Sequence, residues 1–241
     1  MLALSELLTQ SLELYKKHFK LLAGYAAWLL LPYAAMVLIS LSTANNLFLD
    51  TLITLCNVAQ GLVGLWLVIL IPLLIRDLIK TEKISITNQQ TKVWQILPSV
   101  VFVALLEALV ILGGFILLIV PGIIFWVWFS LSQMAAILDN KKGTAALSFS
   151  RELVRGKFWP VLWRLLIGPA AIVLTATVIS GLIIMGLALI TGSSFDTVFG
   201  PTPPLWADII ATVLETFVMP LVAVYMTLLY LDITKNKTVE S

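Results

Sequence analysis

Two carboxylates lie where a membrane helix tolerates them least. Glu107 and Glu215 each fall about nine residues into a long apolar run. An ionisable group at mid-bilayer depth is costly, so it needs a task or a partner. The task would be a proton or cation relay, or the acidic lining of a substrate path. The partner would be a Ser, Thr, Gln or Arg on a neighbouring helix, with the carboxyl protonated or hydrogen-bonded as packing glue. Arg164, about one turn inside another apolar run, either snorkels to the membrane edge or reaches a carboxylate. Asn57, Gln60 and Gln133 add polar groups that could line an interior. Gly168-Pro169, and Pro220 just after Glu215, mark kinks, because a proline leaves a helical carbonyl without its donor.

Other chemistries lack their residues. The chain has no Gly-rich phosphate loop, no His-Glu-x-x-His and no nucleophile elbow. Cys56 is the only cysteine and His18 the only histidine. An intramolecular disulfide and a Cys/His metal cluster are therefore excluded. His18 sits on a charged, wet face, a poor place for a general base. The expectation is a protein with no catalytic residue, no cofactor and no metal, hence not an enzyme.

The apolar runs that must position these groups dominate the chain. Of 241 residues, 60% are apolar and 12% charged. A water-facing surface needs about twice that charge. About 20 apolar residues cross a bilayer, and six such stretches can be read, at about 21–41, 52–75, 98–120, 122–138, 160–190 and 206–231. The third and fourth form a tight hairpin turning near Gly113, Gly114 and Pro121-Gly122. Trp126, Trp128 and Trp206 read as outer-interface residues, and Trp94, Trp159 and Trp163 as inner ones.

All 15 Lys and Arg residues can be placed on one side of a membrane. The clusters are Lys16, Lys17 and Lys20; Arg76, Lys80, Lys83 and Lys92; Lys141, Lys142, Arg151, Arg155, Lys157 and Arg164; Lys235 and Lys237. The opposite turns carry Asp50, Asp196 and Asp208 instead. Basic loops remain cytoplasmic, so the pattern predicts both termini inside. The expected location is a bacterial or archaeal plasma membrane. Its basic edge suits anionic lipid and gives no argument for nucleic acid. The first 20 residues do not read as a signal peptide, because an amphipathic segment precedes the apolar run. The glycosylation pattern at Asn236-Lys237-Thr238 is expected to go unused on an inner tail.

An interfacial amphipathic segment precedes each pair of crossings, at 3–20, 87–97 and 143–157. In the first, Leu4, Leu7, Leu8, Leu12, Tyr15 and Phe19 share a face. In the third, Ala146, Phe149, Leu153 and Val154 are expected to face the bilayer, with Thr144 as N-cap. Val93, Trp94 and Leu97 make the weaker middle face. Ser11-Leu-Glu13-Leu14 followed by Phe19 matches Ser150-Arg-Glu152-Leu153 followed by Phe158, as a repeat of segment plus hairpin would. Small residues four apart in the fifth run (Ala171/Thr175, Ala176/Ser180, Thr177/Gly181) read as a helix-packing seam. The connection at 191–205 reads as a mobile loop whose aromatics dip into headgroups, with a cap over the outer mouth as the alternative.

From Pro121 to Leu166 the residues carry a pattern: Pro121-Gly122, Ala136-Ile-Leu-Asp139, Lys142-Gly143, Ala146-Leu147, Ser150-Arg-Glu152-Leu153-Val154, Gly156-x-Phe158-Trp159 and Leu162-x-Arg164-Leu165. This resembles the bacterial membrane domain found beside some glycerophosphoryl diester phosphodiesterases, and related stand-alone six-helix inner-membrane proteins. The resemblance implies a membrane module acting on or near lipids or envelope components. It supplies no catalytic residue, because the phosphodiesterase chemistry of fused members belongs to a separate soluble barrel. The Gly156 to Trp159 stretch reads as the bend between the third interfacial segment and the fifth crossing, which glycine permits.

The sequence thus predicts a single all-α polytopic membrane domain over 1–241, built of three hairpins. The favoured function is a lipid- or partner-associated module of the cell envelope, with Lys16, Lys17, Lys20, Lys141, Lys142, Arg151, Arg155 and Lys157 as the anionic-lipid edge. The expected partners are membrane lipids and a membrane or cytoplasmic protein. The alternative is a small transporter or lipid-translocating protein using Glu107 and Glu215.

Overall fold

The computed structural model describes residues 2–41, 47–81 and 86–240, with side chains left out at 81, 86, 87 and 237–240. Lys83 and the side chain of Lys237, both assigned to the basic edge, lie outside the described residues. The helices in order are α1 (Leu4–Lys17), α2 (Phe19–Ala26), α3 (Leu30–Ser40), α4 (Leu47–Thr81), α5 (Ile86–Leu117), α6 (Ile119–Phe129), α7 (Ser132–Leu138), α8 (Thr144–Val154), α9 (Phe158–Thr191), α10 (Phe195–Val198) and α11 (Leu205–Glu240). A short 3₁₀ turn, Ala27–Leu29, joins α2 to α3. The described residues contain no strand.

Six stretches are long and apolar enough to cross a membrane: Phe19–Ser40, Leu47–Lys80, Asn88–Leu117, Ile119–Leu138, Phe158–Thr191 and Leu205–Asn236. The chain is an all-α, multi-pass integral membrane protein. Helices satisfy their own backbone groups, which hydrocarbon cannot do. Apolar side chains such as Leu109, Ile116, Leu174, Leu182 and Ile190 stay exposed along them, as lipid contact allows. Several crossings exceed their expected bounds. The 35 residues of α4 reach about 52 Å, against a hydrocarbon core of about 30 Å. The surplus must tilt or leave the bilayer.

The chain divides into two compact units. One comprises residues 1–14, 66–168 and 223–241; the other comprises 15–65 and 169–222. In the first, α5 and α6 make the predicted tight hairpin, turning at a single extended residue, Leu118. Close approach at two glycines makes it tight: a Cβ on Gly114 would meet the Cα of Gly122 at 3.0 Å, and one on Gly122 would meet the Phe115 ring at 2.5 Å. The fourth crossing is not one helix. It breaks at Ser130-Leu131 between α6 and α7.

The interfacial segments need three corrections. The middle one is the start of α5, continuous with the crossing that follows. Pro98 lies inside that helix and does not stop it. In α8, Ala146, Leu153 and Val154 do not face the bilayer. They are buried with Leu147 and Ser150, and α8 packs on α5, α6 and α7. An apolar face reads the same whether its partner is lipid or protein. The N-cap is Gly143, at φ +50°, with Thr144 the first helical residue and no side-chain cap. The bend at Gly156 stands as expected, at φ +78°, a conformation glycine adopts without strain.

α1 carries the same register as α8. Leu7, Ser11 and Tyr15 are buried four residues apart, as are Ala146, Ser150 and Val154. Leu12 and Phe19, expected on that face, remain exposed.

In the second unit the 191–205 connection contains α10. Ser194 caps it by accepting from the Thr197 N–H, and Val198 is buried against Ile184, Ala188 and Ala207. The stretch therefore carries a built helical turn where a mobile loop was expected. Phe195 and Phe199 stack at 4.8 Å between ring centroids and stay exposed.

Candidate functional site

The break in the fourth crossing gathers the polar groups of the first unit. Glu107 of α5 is buried, at 8% exposure. Its Oε2 accepts from Ser132 Oγ at 2.7 Å and from Gln133 Nε2 at 3.1 Å, the first two residues of α7. A few residues back, Ser150 Oγ donates to the Trp128 carbonyl at 2.7 Å and accepts from the Leu131 N–H at 3.2 Å. Ser150 thus supplies backbone partners that an interrupted helix lacks in hydrocarbon, while Glu107 binds the side chains that open α7. Of the predicted interior set, Glu107 and Gln133 are brought together. Both contacts to Glu107 are hydrogen bonds donated by side chains of α7.

The Arg164 guanidinium binds backbone carbonyls. Its Nη2 and Nε donate to the Leu2 carbonyl at 2.6 and 3.2 Å, and its Nη1 to the Pro160 carbonyl at 3.0 Å. Asp232 Oδ2 accepts from the Leu2 N–H at 3.0 Å. The two backbone polar groups of one residue, Leu2, are therefore held by α9 and α11. Tyr225 Oη donates to the Arg164 carbonyl at 2.8 Å, and its ring lies where a Cβ on Gly168 would project.

Glu215 belongs to the second unit and differs from Glu107 in kind. It is exposed, and its carboxylate has no hydrogen-bond or ion-pair partner among the described residues. It lines a groove of about 370 Å³ between α9 and α11. Ala176, Thr177 and Ser180 form part of the facing wall. These are residues of the small-residue seam, so part of that seam borders open space where a helix contact was expected. Asn57, in the same unit, is exposed and turns its amide back to the Ile53 carbonyl at 3.0 Å. Gln60 is half-buried.

Along the basic edge, Lys16, Lys17, Lys20, Lys141, Lys142, Arg151 and Arg155 are exposed and Lys157 is half-buried. Two of these cations lie over rings. Lys141 Nζ is 5.1 Å from the Phe149 centroid, and Arg151 Cζ is 4.5 Å from the centroid of Trp128. Trp128 was expected at the opposite interface. The short fourth crossing and its early break bring it beside α8. Trp128, Ser148, Arg151, Glu152 and Arg155 line a polar cleft of about 400 Å³. Sequence reasoning had the two arginines but missed Ser148 and the indole beneath Arg151.

Comparison with known proteins returned no matching family model, no matching curated protein and no matching solved structure. What these sites can do follows from their own chemistry.

Proposed function

We propose that this chain is a non-enzymatic membrane module that holds anionic lipid headgroups along its basic edge. One observation carries the reading: the Arg151 guanidinium stacked on Trp128 inside a cleft it shares with Arg155 and Ser148. Stacking on an aromatic face leaves the guanidinium edge open for paired bonds to a phosphate. Arg155, the residue just past the end of that helix, and the Ser148 hydroxyl add further donors. Glu152, also on the wall, favours a singly charged phosphodiester over a more highly charged group. An indole beside basic residues is what a headgroup interface selects.

In this reading the basic edge faces the cytoplasm of a bacterial or archaeal plasma membrane, with both termini on that side. A membrane or cytoplasmic protein partner would approach along the same edge. The resemblance to the phosphodiesterase-associated membrane domain points the same way, towards work on or near lipids.

The test is lipid selectivity at the protein boundary. Spin-labelled phosphatidylglycerol is expected to associate more strongly than spin-labelled phosphatidylcholine with the protein in vesicles. The preference should fall towards unity in Arg151→Gln/Arg155→Gln. An unchanged preference in that variant would remove the cleft from the account. Release of a product from a panel of lipids or glycerophosphodiesters would overturn the non-enzymatic reading.

A further inference from the structure

The groove at Glu215 asks for an occupant of a different charge. Its wall is apolar at Val173, Leu214, Val218 and Val222, with Met219 as an adaptable surface. Its polar elements are the carboxylate of Glu215 and the hydroxyls of Thr177 and Ser180. Ser180 spends its proton on the Thr177 carbonyl, at 2.9 Å, so the hydroxyl oxygen offers an acceptor and no donor. The groove therefore presents one acidic side chain and two hydroxyls, of which Ser180's can only accept, within an apolar frame, ten residues into a membrane-crossing helix. A cation bound beside the Glu215 side chain would offset the cost of holding a carboxylate charge in a membrane-crossing helix.

We infer that the groove between α9 and α11 is a binding site for a small lipophilic monocation, an ammonium or phosphonium carried on apolar substituents. Its size argues for a small molecule. The lining runs over Val173–Ser180 on one side and Leu214–Val222 on the other, about two turns, or roughly 11 Å. A partner transmembrane helix would need a seam near 30 Å. A volume of about 370 Å³ falls at the lower end of small-molecule sites. A lipid acyl chain would fill the apolar frame and leave the carboxylate unmatched. The site is independent of the anionic-lipid cleft, which lies in the other unit and has the opposite charge.

The experiment is equilibrium binding of tetraphenylphosphonium to the full chain in phosphatidylcholine nanodiscs. The lipid is zwitterionic, so the bilayer itself does not collect the cation electrostatically. Saturable binding is expected for the wild type, weakened at least about tenfold in Glu215→Gln, which keeps the shape and removes the charge. Ala176→Leu narrows the groove with the carboxylate intact and should weaken binding comparably. It also decides the matter if Glu215→Gln fails to fold. Absence of saturable binding to the wild type, or binding within about twofold of wild type in either folded variant, would overturn the inference.

Discussion

Ser150 reaches from α8 to donate its hydroxyl to the carbonyl oxygen of Trp128, at 2.7 Å. The same hydroxyl accepts the Leu131 N–H. The backbone of Trp128 is thereby fixed by α8 while its ring supports Arg151 of that same helix. A buried hydroxyl thus ties the break in the fourth crossing to the shape of the proposed headgroup cleft.

Ser150→Ala leaves a carbonyl and an N–H without this partner in a buried place. The expected loss is about 1–3 kcal/mol of stability. Unfolding in mixed micelles by titrated SDS measures it. Headgroup preference should weaken in the same variant, because Trp128 loses its anchor.

Glu107 is expected to act as a structural acceptor. Glu107→Gln keeps an amide oxygen for Ser132 and Gln133 and should unfold within about 1 kcal/mol of wild type. Glu107→Leu removes the acceptor, strands the buried Ser132 hydroxyl, and should cost about 1–3 kcal/mol. A relay role predicts the same intact folding in Glu107→Gln, but with cation or lipid handling abolished.

Gly168 faces the ring of Tyr225 with no room for a side chain. Gly168→Ala should therefore destabilise by about 1–3 kcal/mol, the usual cost of overpacking, despite the better helix propensity of alanine. The same unfolding assay reads it, and a stabilised variant would show that α9 and α11 can part there freely.

Arg164 and Asp232 bind the carbonyl and the N–H of Leu2. Arg164→Ala or Asp232→Ala should release the start of the chain. Faster amide hydrogen exchange confined to the residues around Leu2, with the crossings unchanged, is the expected result.

Much of the fold was legible. Six crossings follow from apolar length alone, because hydrocarbon admits few alternatives to a helix. The bend at Gly156 and the tight turn beside Gly122 were legible because glycine there marks a backbone requirement. The break at Ser130-Leu131 was not. Its residues suit a helix, and the groups that stabilise the break, Glu107 and Ser150, are distant in sequence. The apolar face of α8 was visible, but periodicity does not say whether lipid or protein covers it. The carboxylates were both visible as candidates. Only their surroundings separate Glu107, which has two donors, from Glu215, which has none among the described residues. The seam of Ala176, Thr177 and Ser180 shows the same limit, since small residues border a neighbouring helix and an open groove equally well.

The most direct test of the anionic-lipid reading is native mass spectrometry of the protein released from nanodiscs of mixed phosphatidylglycerol and phosphatidylcholine. The wild type should retain phosphatidylglycerol adducts at collision energies that strip phosphatidylcholine. Arg151→Gln/Arg155→Gln should lose that retention, and Lys16→Gln/Lys17→Gln should lose less of it. Equal retention of both lipids by the wild type, or undiminished phosphatidylglycerol on the arginine variant, would contradict the account.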